Sequence, residues 1–464
     1  MTVPALLHLR RAFQIVLLIT AALIVVHGLF GPQIAPRNLA TVLTWVHYRG
    51  LLMVALLAIG NVFCMGCPMV LARDAARRVA HFGYRWPRYL RTKWIAATLL
   101  VAVLFAYELF DLWDLPRGTA YLVLAYFAAA IVIDVLFAGA SFCKYVCPIG
   151  QFNFVASTMS PTELRVEDVS ICRSCATVDC IKGTRSTVVP QPTVIIRRGC
   201  ELSLFQPAKV GNLDCTLCLD CVRACPHDNV TLAWRVPGQE LVDDERRSGI
   251  GRLTRRPDLA ALTIVFTFGA LLNAFAMTRP VYAVERWIAG LLGVTREWPV
   301  MLTLFALGLV VVPGLLLGAA AALSRQHGDP TTLAGRLVRY SYGLIPVGTA
   351  MWAAHYGFHL MTGAFSIVPV AQSAAGDLAG ADILGAPLWH WAGMQPGAVF
   401  PLQLGVLLLG TIGSLALMRR IGSRGSDRSI GAYLPWATAV IVIAAAAVWV
   451  LAQPMEMRGL GFFG

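Results

Sequence analysis

The chain has 464 residues, 57% of them hydrophobic and only 14% charged, with a mean hydropathy of +0.67. That composition excludes an ordinary soluble globular protein and a disordered one, and points to a polytopic membrane protein. The formal charge of +13 has no basic and aromatic stripe behind it, so anionic lipid and membrane insertion account for it and nucleic acid is not an expected partner.

A bilayer crossing takes about 20 apolar residues, and nine stretches are read as spans: 13–31, 48–63, 94–110, 119–140, 258–277, 298–323, 341–364, 399–418 and 432–452. The first follows Arg10 and Arg11 in a loosely twin-arginine setting but lacks a small-residue cleavage site, so it is expected to stay as an anchor. With the N-terminus inside, Arg10, Arg11, the basic run from Arg73 to Lys93, Arg325, Arg336, Arg339, Arg419, Arg420, Arg424 and Arg428 fall on the cytoplasmic side. Arg37, Arg49 and Arg117 are among the fewer basic residues expected outside, which matches the positive-inside rule. The expected location is a cell inner membrane, multi-pass, with the C-terminus outside.

The second span ends in FCMGCPM, which carries Cys64 and Cys67. Glu108 and Asp111, at the outer end of the third, are read as interfacial. The fourth holds Asp134, and a lone carboxylate at that depth is either a proton relay or a hydrogen-bonded packing residue. It leads into FCKYVCPIGQF with Cys143 and Cys147. Both cysteine pairs precede a proline, and the topology brings both to one membrane face. Three readings compete for them: a third iron–sulfur cluster, redox-active or quinol-contacting thiols, and a structural or zinc site.

Residues 141–257 are then a cytoplasmic insertion, expected to be a small α+β ferredoxin-like domain between membrane modules 1–140 and 258–464. The β-branched run Thr193 to Ile196 is expected as a strand. Cys215, Cys218, Cys221 and Cys225, with Pro226 directly after, have the C-x2-C-x2-C-x3-C-P spacing of bacterial ferredoxins, in which the fourth cysteine serves a second cluster. A zinc knuckle would more usually show separated CxxC pairs or histidine. Upstream, Cys172, Cys175, Cys180 and Cys200 form an irregular partner motif. Ligand exchange between the motifs would assign Cys172, Cys175, Cys180 and Cys225 to one [4Fe-4S] cluster and Cys215, Cys218, Cys221 and Cys200 to the other; the unexchanged assignment stays open. All twelve cysteines lie between Cys64 and Cys225, a count divisible by four, and reducing cytoplasm keeps such thiols available to iron.

Five further spans follow. His355 and His359, four apart on one helix, share a face, and intramembrane histidine is a functional hypothesis by default. A quinone headgroup site, b-type haem and helix packing are the alternatives, and haem would require a partner such as His27. There is no CxxCH, which excludes covalent c-type haem. Asp134, His355 and His359 are the candidate quinone, proton or haem residues.

Cysteine–proline motifs at inner helix ends, followed by a ferredoxin-type pair of motifs, resemble the NapH, NosR and CcoG group of membrane polyferredoxins over roughly residues 48–230. The segment from Cys143 to Gly150 is the most specific element outside the ferredoxin run, while Cys64 to Pro68 reads CxxCP where the group has CxxxCP. The resemblance implies electron transfer between the quinone pool or a cytoplasmic donor and a respiratory or periplasmic acceptor, for example a c-type cytochrome. An assembly factor that reduces copper is the alternative, although Met361, Met394, Met455 and Met457 form no delivery motif. No dinucleotide fingerprint or hydrolytic constellation occurs, so any enzyme activity would be that of an oxidoreductase within a complex.

Overall fold

The computed structural model describes residues 3–185, 195–326, 329, 331–381, 383–423 and 430–455; Thr193, Val194, Arg424, Arg428 and Met457, named above, lie outside the described residues. Helices dominate because an apolar run away from water must satisfy its backbone internally. Among the described residues seven are long and apolar enough to cross a membrane: His8–Phe30, Leu39–Ala58, Pro116–Leu136, Pro257–Phe275, Glu297–Gln326, Pro396–Gly422 and Gly431–Leu451. Exposed Ile15, Val16, Ile19, Leu408, Leu409 and Ile412 on two of them suit a lipid environment.

These seven overlap seven of the nine expected stretches, and the other two, 94–110 and 341–364, form helices that are shorter or less apolar. Trp94–Leu109 is apolar but has 16 residues, a rise of ~24 Å against a hydrocarbon core of about 30 Å. Ile345–Thr362 is interrupted by His355 and His359 and is less apolar than the seven. The second span also shifts. It begins at Leu39, passes through a π-helical stretch, Val42–Tyr48, and ends at Ala58. Gly60, at φ +143°, turns the chain before the first cysteine pair. Arg49, expected in an outer loop, consequently lies half-way along this helix and is buried. Glu108, expected at the interface, is 1% exposed and accepts a 2.9 Å hydrogen bond from Asn273 Nδ2.

The chain forms two compact units. The first comprises Met1–Thr20, Ala55–Ala96 and Tyr126–Leu259. Within it β1 (Thr162–Val166) pairs antiparallel with a strand at Val230–Trp234, in the register Thr162↔Trp234 to Val166↔Val230. This pairing closes the cysteine-rich segment between its own ends. A smaller pair joins β2 (Thr184–Arg185) to β3 (Ile195–Arg197), so the strand expected at 193–196 is seen from Ile195 onward; the Val230–Trp234 strand is β4. Phe154, Leu164, Leu202, Leu204, Leu217, Leu219 and Val230 pack with Cys215, Cys221 and Cys225 as one core.

Three basic residues read from sequence as topogenic are structural in this unit. Arg10 pairs with Asp220 at 2.7 Å, Lys93 with Asp214 at 2.5 Å, and Arg73 with Glu201 at 2.7 Å and Asp134 at 3.3 Å. A buried charge needs such a partner, because leaving it alone costs several kcal/mol, about 3–5.

The second unit comprises Ala21–Val54, Ala97–Ala125 and Ala260–Gly464. Its helices approach closely through small residues, as membrane helices do. A Cβ at Gly410 would stand 2.3 Å from Ala350 Cβ, and one at Gly348 would stand 2.7 Å from Thr267 Oγ1. Trp352 is buried against Phe266, whose carbonyl accepts from its indole at 2.8 Å, and Tyr340 stacks on Trp436 at 4.6 Å.

Candidate functional site

All twelve cysteines are free thiols, and all lie in the first unit. Cys172 lies on the short helix Val169–Ser174, capped by Asp168, and Cys175 ends that helix. Cys180 lies on Asp179–Lys182, and Cys225 ends Asp220–Ala224. These four thiols line one small cavity with Phe205, Gln206, Pro226, His227 and Asn229. Asn229 bridges them: its N–H faces Cys225 Sγ and its Nδ2 faces Cys172 Sγ, each at 3.4 Å. The Val178 N–H, then the Thr177 hydroxyl, lower the Cys175 thiol to about 7. Burial raises Cys172 and Cys180, and the Cys225 charge adds to both.

The ferredoxin run turns on residues in the left-handed region, Asp214 (φ 61°), Leu217 (φ 55°) and Leu219 (φ 65°). Non-glycine residues rarely adopt it, and a cluster of them marks a chain held in place for function. Here the turns collect Cys215, Cys218 and Cys221 near Cys200. Burial lifts Cys200 to about 11, with the Cys215 charge adding to it, and lifts Cys218 and Cys221 well above the ordinary thiol value with the Cys200 charge adding to each. Cys200 accepts from the Leu204 N–H at 3.4 Å, and Arg10 reaches the Cys218 carbonyl at 2.7 Å.

A third group lies where the two proline-linked motifs meet. Cys64 lies on the short helix Val62–Met65 and Cys67 just beyond its end, and Cys143 lies on a π-helical turn, Phe142–Val146. Cys147 caps the helix Pro148–Ala156 and accepts from the Gly150 N–H at 3.1 Å. A helix N-terminus favours thiolate there. Asn153 Nδ2 faces Cys64 Sγ at 3.4 Å. Burial raises Cys64 to about 12, with the charges of Cys67 and Cys215 contributing; it raises Cys147 too, with Cys64 and Cys67 contributing, and Cys143, which feels Cys147 and Cys67. Asn61 joins this group to the ferredoxin run: it accepts from the Cys64 N–H at 3.4 Å and donates to the Cys215 carbonyl at 3.1 Å. Sequence reasoning missed Asn61, Asn153 and Asn229, since a single amide carries no spacing signal.

Among the described residues no group of three or more His, Cys, Asp or Glu converges on a single metal ion. A four-iron cluster makes a different demand, because each thiolate binds its own iron at a separate corner. Buried and half-buried thiols, without disulfides and with N–H donors aimed at sulfur, fit that donor set.

Asp134 is not the lone carboxylate it looks in sequence. Arg73 pairs with it, and it accepts from the Phe142 N–H at 2.8 Å, which anchors the turn carrying Cys143. His355 is buried, His359 is half-buried, and their rings meet edge to face at 5.0 Å in the second unit. His27 is not free to serve as their haem partner: Nδ1 accepts from the Leu39 N–H at 3.0 Å and Nε2 meets Asp377 at 3.2 Å.

No family model matches the chain, and no solved structure matches it. It is similar to the ferredoxin-type protein NapH of Escherichia coli (strain K12), 29% identical over 116 residues. The match covers 25% of this chain and 36% of that protein, so the chain spans about a third of the length of the curated relative it matches. Seven apolar helices of membrane-crossing length among the described residues and this likeness support a helical, membrane-embedded chain, part of which is similar to a ferredoxin-type protein.

Proposed function

We propose that the chain is a membrane-bound iron–sulfur electron-transfer protein, relaying electrons between the quinone pool or a cytoplasmic donor and a respiratory or periplasmic acceptor such as a c-type cytochrome. The observation that carries the reading is that Cys172, Cys175, Cys180 and Cys225 line one small cavity, with the other eight cysteines in the same compact unit. Cys172, Cys175, Cys180 and Cys225 would hold one [4Fe-4S] cluster, and Cys200, Cys215, Cys218 and Cys221 a second, in the exchanged pairing. Cys64, Cys67, Cys143 and Cys147 would hold a third. Iron–sulfur clusters supply one-electron redox chemistry. The chain's own part is to set the order and the surroundings: Asn229, Gly150 and Asn153 donate to sulfur, which favours a more negative, reduced centre. Asn61 links the third set to the second through Cys64 and Cys215.

The same reading fixes a topology. Arg10, at the start of the first span, pairs with Asp220, so the N-terminus and the ferredoxin-type segment share one side, taken as cytoplasmic. An even number of crossings must then precede residue 137. Trp94–Leu109 therefore crosses despite its length, a mismatch that a bilayer absorbs by local thinning.

Anaerobic iron analysis and EPR of the purified protein test the proposal. About twelve iron per chain is expected, since each four-iron cluster accounts for four. Cys64→Ser combined with Cys147→Ser should leave about eight. Much less than about eight in the unaltered protein would sink the reading.

A further inference from the structure

A guanidinium stands half-way along the apolar helix Leu39–Ala58, 7% exposed. A charge at such depth persists only where protein surrounds it, and residues of this kind mark ligand or ion sites. Arg49 Nε donates to the Trp45 carbonyl at 2.9 Å and Nη2 donates to the Tyr107 hydroxyl at 3.1 Å. Its plane lies 4.6 Å from the Tyr356 ring, 5.0 Å from Tyr107 and 5.1 Å from Trp45. Trp45 belongs to the π-helical stretch Val42–Tyr48, an irregularity that recurs at functional sites.

The two histidines share the helix of Tyr356, the ring over Arg49: the His355 ring lies 5.5 Å from that of Tyr356 and 5.0 Å from that of His359, and both histidines feel the charge of Arg49. The Nε2 atoms of His355 and His359 are buried and have no hydrogen-bond partner among the described residues. Native proteins rarely leave such atoms unsatisfied, and a missing ligand is one reason they do.

We propose that His355, His359 and Arg49 form a quinone headgroup site in the second unit. The two imidazole nitrogens suit carbonyl oxygens, the aromatic rings of Trp45, Tyr107 and Tyr356 suit a flat apolar ring, and half-buried His359 leaves an approach for a lipid-soluble ligand. Reduction of quinone to quinol takes two electrons from one-electron iron–sulfur carriers and two protons, one for each carbonyl oxygen. His355 and His359 pass those protons, while Arg49 offsets the negative charge that gathers on the oxygens. A haem fits less well, because two histidines four apart on one helix cannot be axial partners and His27 has both nitrogens engaged. A bare metal ion would be repelled by Arg49. The redox step rests on the electron-transfer reading above; binding rests on this site alone.

The test uses the full chain in lipid nanodiscs, titrated with decylubiquinone by equilibrium dialysis, with iron content measured in parallel. Binding should weaken about tenfold or more in the double variant His355→Leu, His359→Leu and in Arg49→Gln, the loss expected for one or two hydrogen bonds to the headgroup. Arg49→Lys should bind better than Arg49→Gln, and iron content should not change. Tyr107→Phe removes only the hydroxyl that steadies Arg49; it should fold and bind a few-fold more weakly, and keeps the question open to an answer if the bolder variants fail to insert. Unaltered affinity in Tyr107→Phe and in every inserting variant would overturn the site. So would a haem absorption band in the unaltered protein that His355→Leu abolishes. Quinone binding without iron would refute the electron-transfer reading and leave the site standing; iron without quinone binding would do the reverse.

Discussion

At the scale of single residues, the first unit is organised by buried charges whose partners lie far away in the chain. Arg73 is 2% exposed and holds Asp134 at 3.3 Å, Glu201 at 2.7 Å and Asp74 at 3.2 Å. Asp134 in turn fixes the Phe142 amide, so this one guanidinium ties the Cys64–Cys67 side to the turn of Cys143. Arg73→Ala should cost about 3–5 kcal/mol, because it strands Asp134 without compensation. Arg73→Ala combined with Asp134→Asn should cost less than the two changes summed, a coupling that a double-mutant cycle of thermal unfolding measures. Additive losses would mean the pair does not support the fold. The basic run from Arg73 to Lys93 was legible as a topological signal, but the structural roles of Arg73 and Lys93 were not. Their partners Glu201 and Asp214 are more than a hundred residues downstream, and no pattern in sequence links them.

At the scale of elements, the helices Leu39–Ala58 and Ile345–Thr362 bring Arg49 beside Tyr356, and Gly50 makes the approach possible. A Cβ there would lie 2.4 Å from Leu360 Cβ and 2.9 Å from the Tyr356 carbonyl. Gly50→Ala should therefore force the helices apart, at a cost of about 1–3 kcal/mol for overpacking, and lower both the unfolding temperature and quinone affinity. Gly290→Ala, where a Cβ meets open space, is the control and should change neither. Hydropathy made the second span visible but misplaced it by about a turn or two. The expected window of 48–63 left Arg49 at its outer edge and His47 outside, whereas the helix runs on through both because protein, not lipid, surrounds them. The same polar interruption by His355 and His359 explains why Ile345–Thr362 falls short of the apolar criterion.

At the scale of the whole molecule, the Arg10–Asp220 pair joins the first helix to the cysteine-rich segment, and the proposed topology keeps both on one side. Reporter fusions test it: one at the N-terminus and one after residue 245 should report the same side, and one between residues 109 and 116 the opposite side. Opposite signals from the first two would exclude Trp94–Leu109 as a crossing. Lysine and arginine bias alone leads to the same expectation for both, and the proposed topology adds a crossing by the 16-residue helix Trp94–Leu109.

The sequence by itself determined the membrane class, the thiol chemistry and the ferredoxin spacing of Cys215 to Cys225, because composition and short-range spacing are local properties that survive in any fold. It also offered the exchanged grouping of eight cysteines as one of two pairings. Only the tertiary structure decided that Cys172, Cys175, Cys180 and Cys225 line one cavity, that Asn61 stands between Cys64 and Cys215, and that Arg49 and His355 lie inside. Those meetings join segments up to about three hundred residues apart, and closing a long loop costs little more than closing a short one. Chain distance therefore says almost nothing about them, and packing selects the partners.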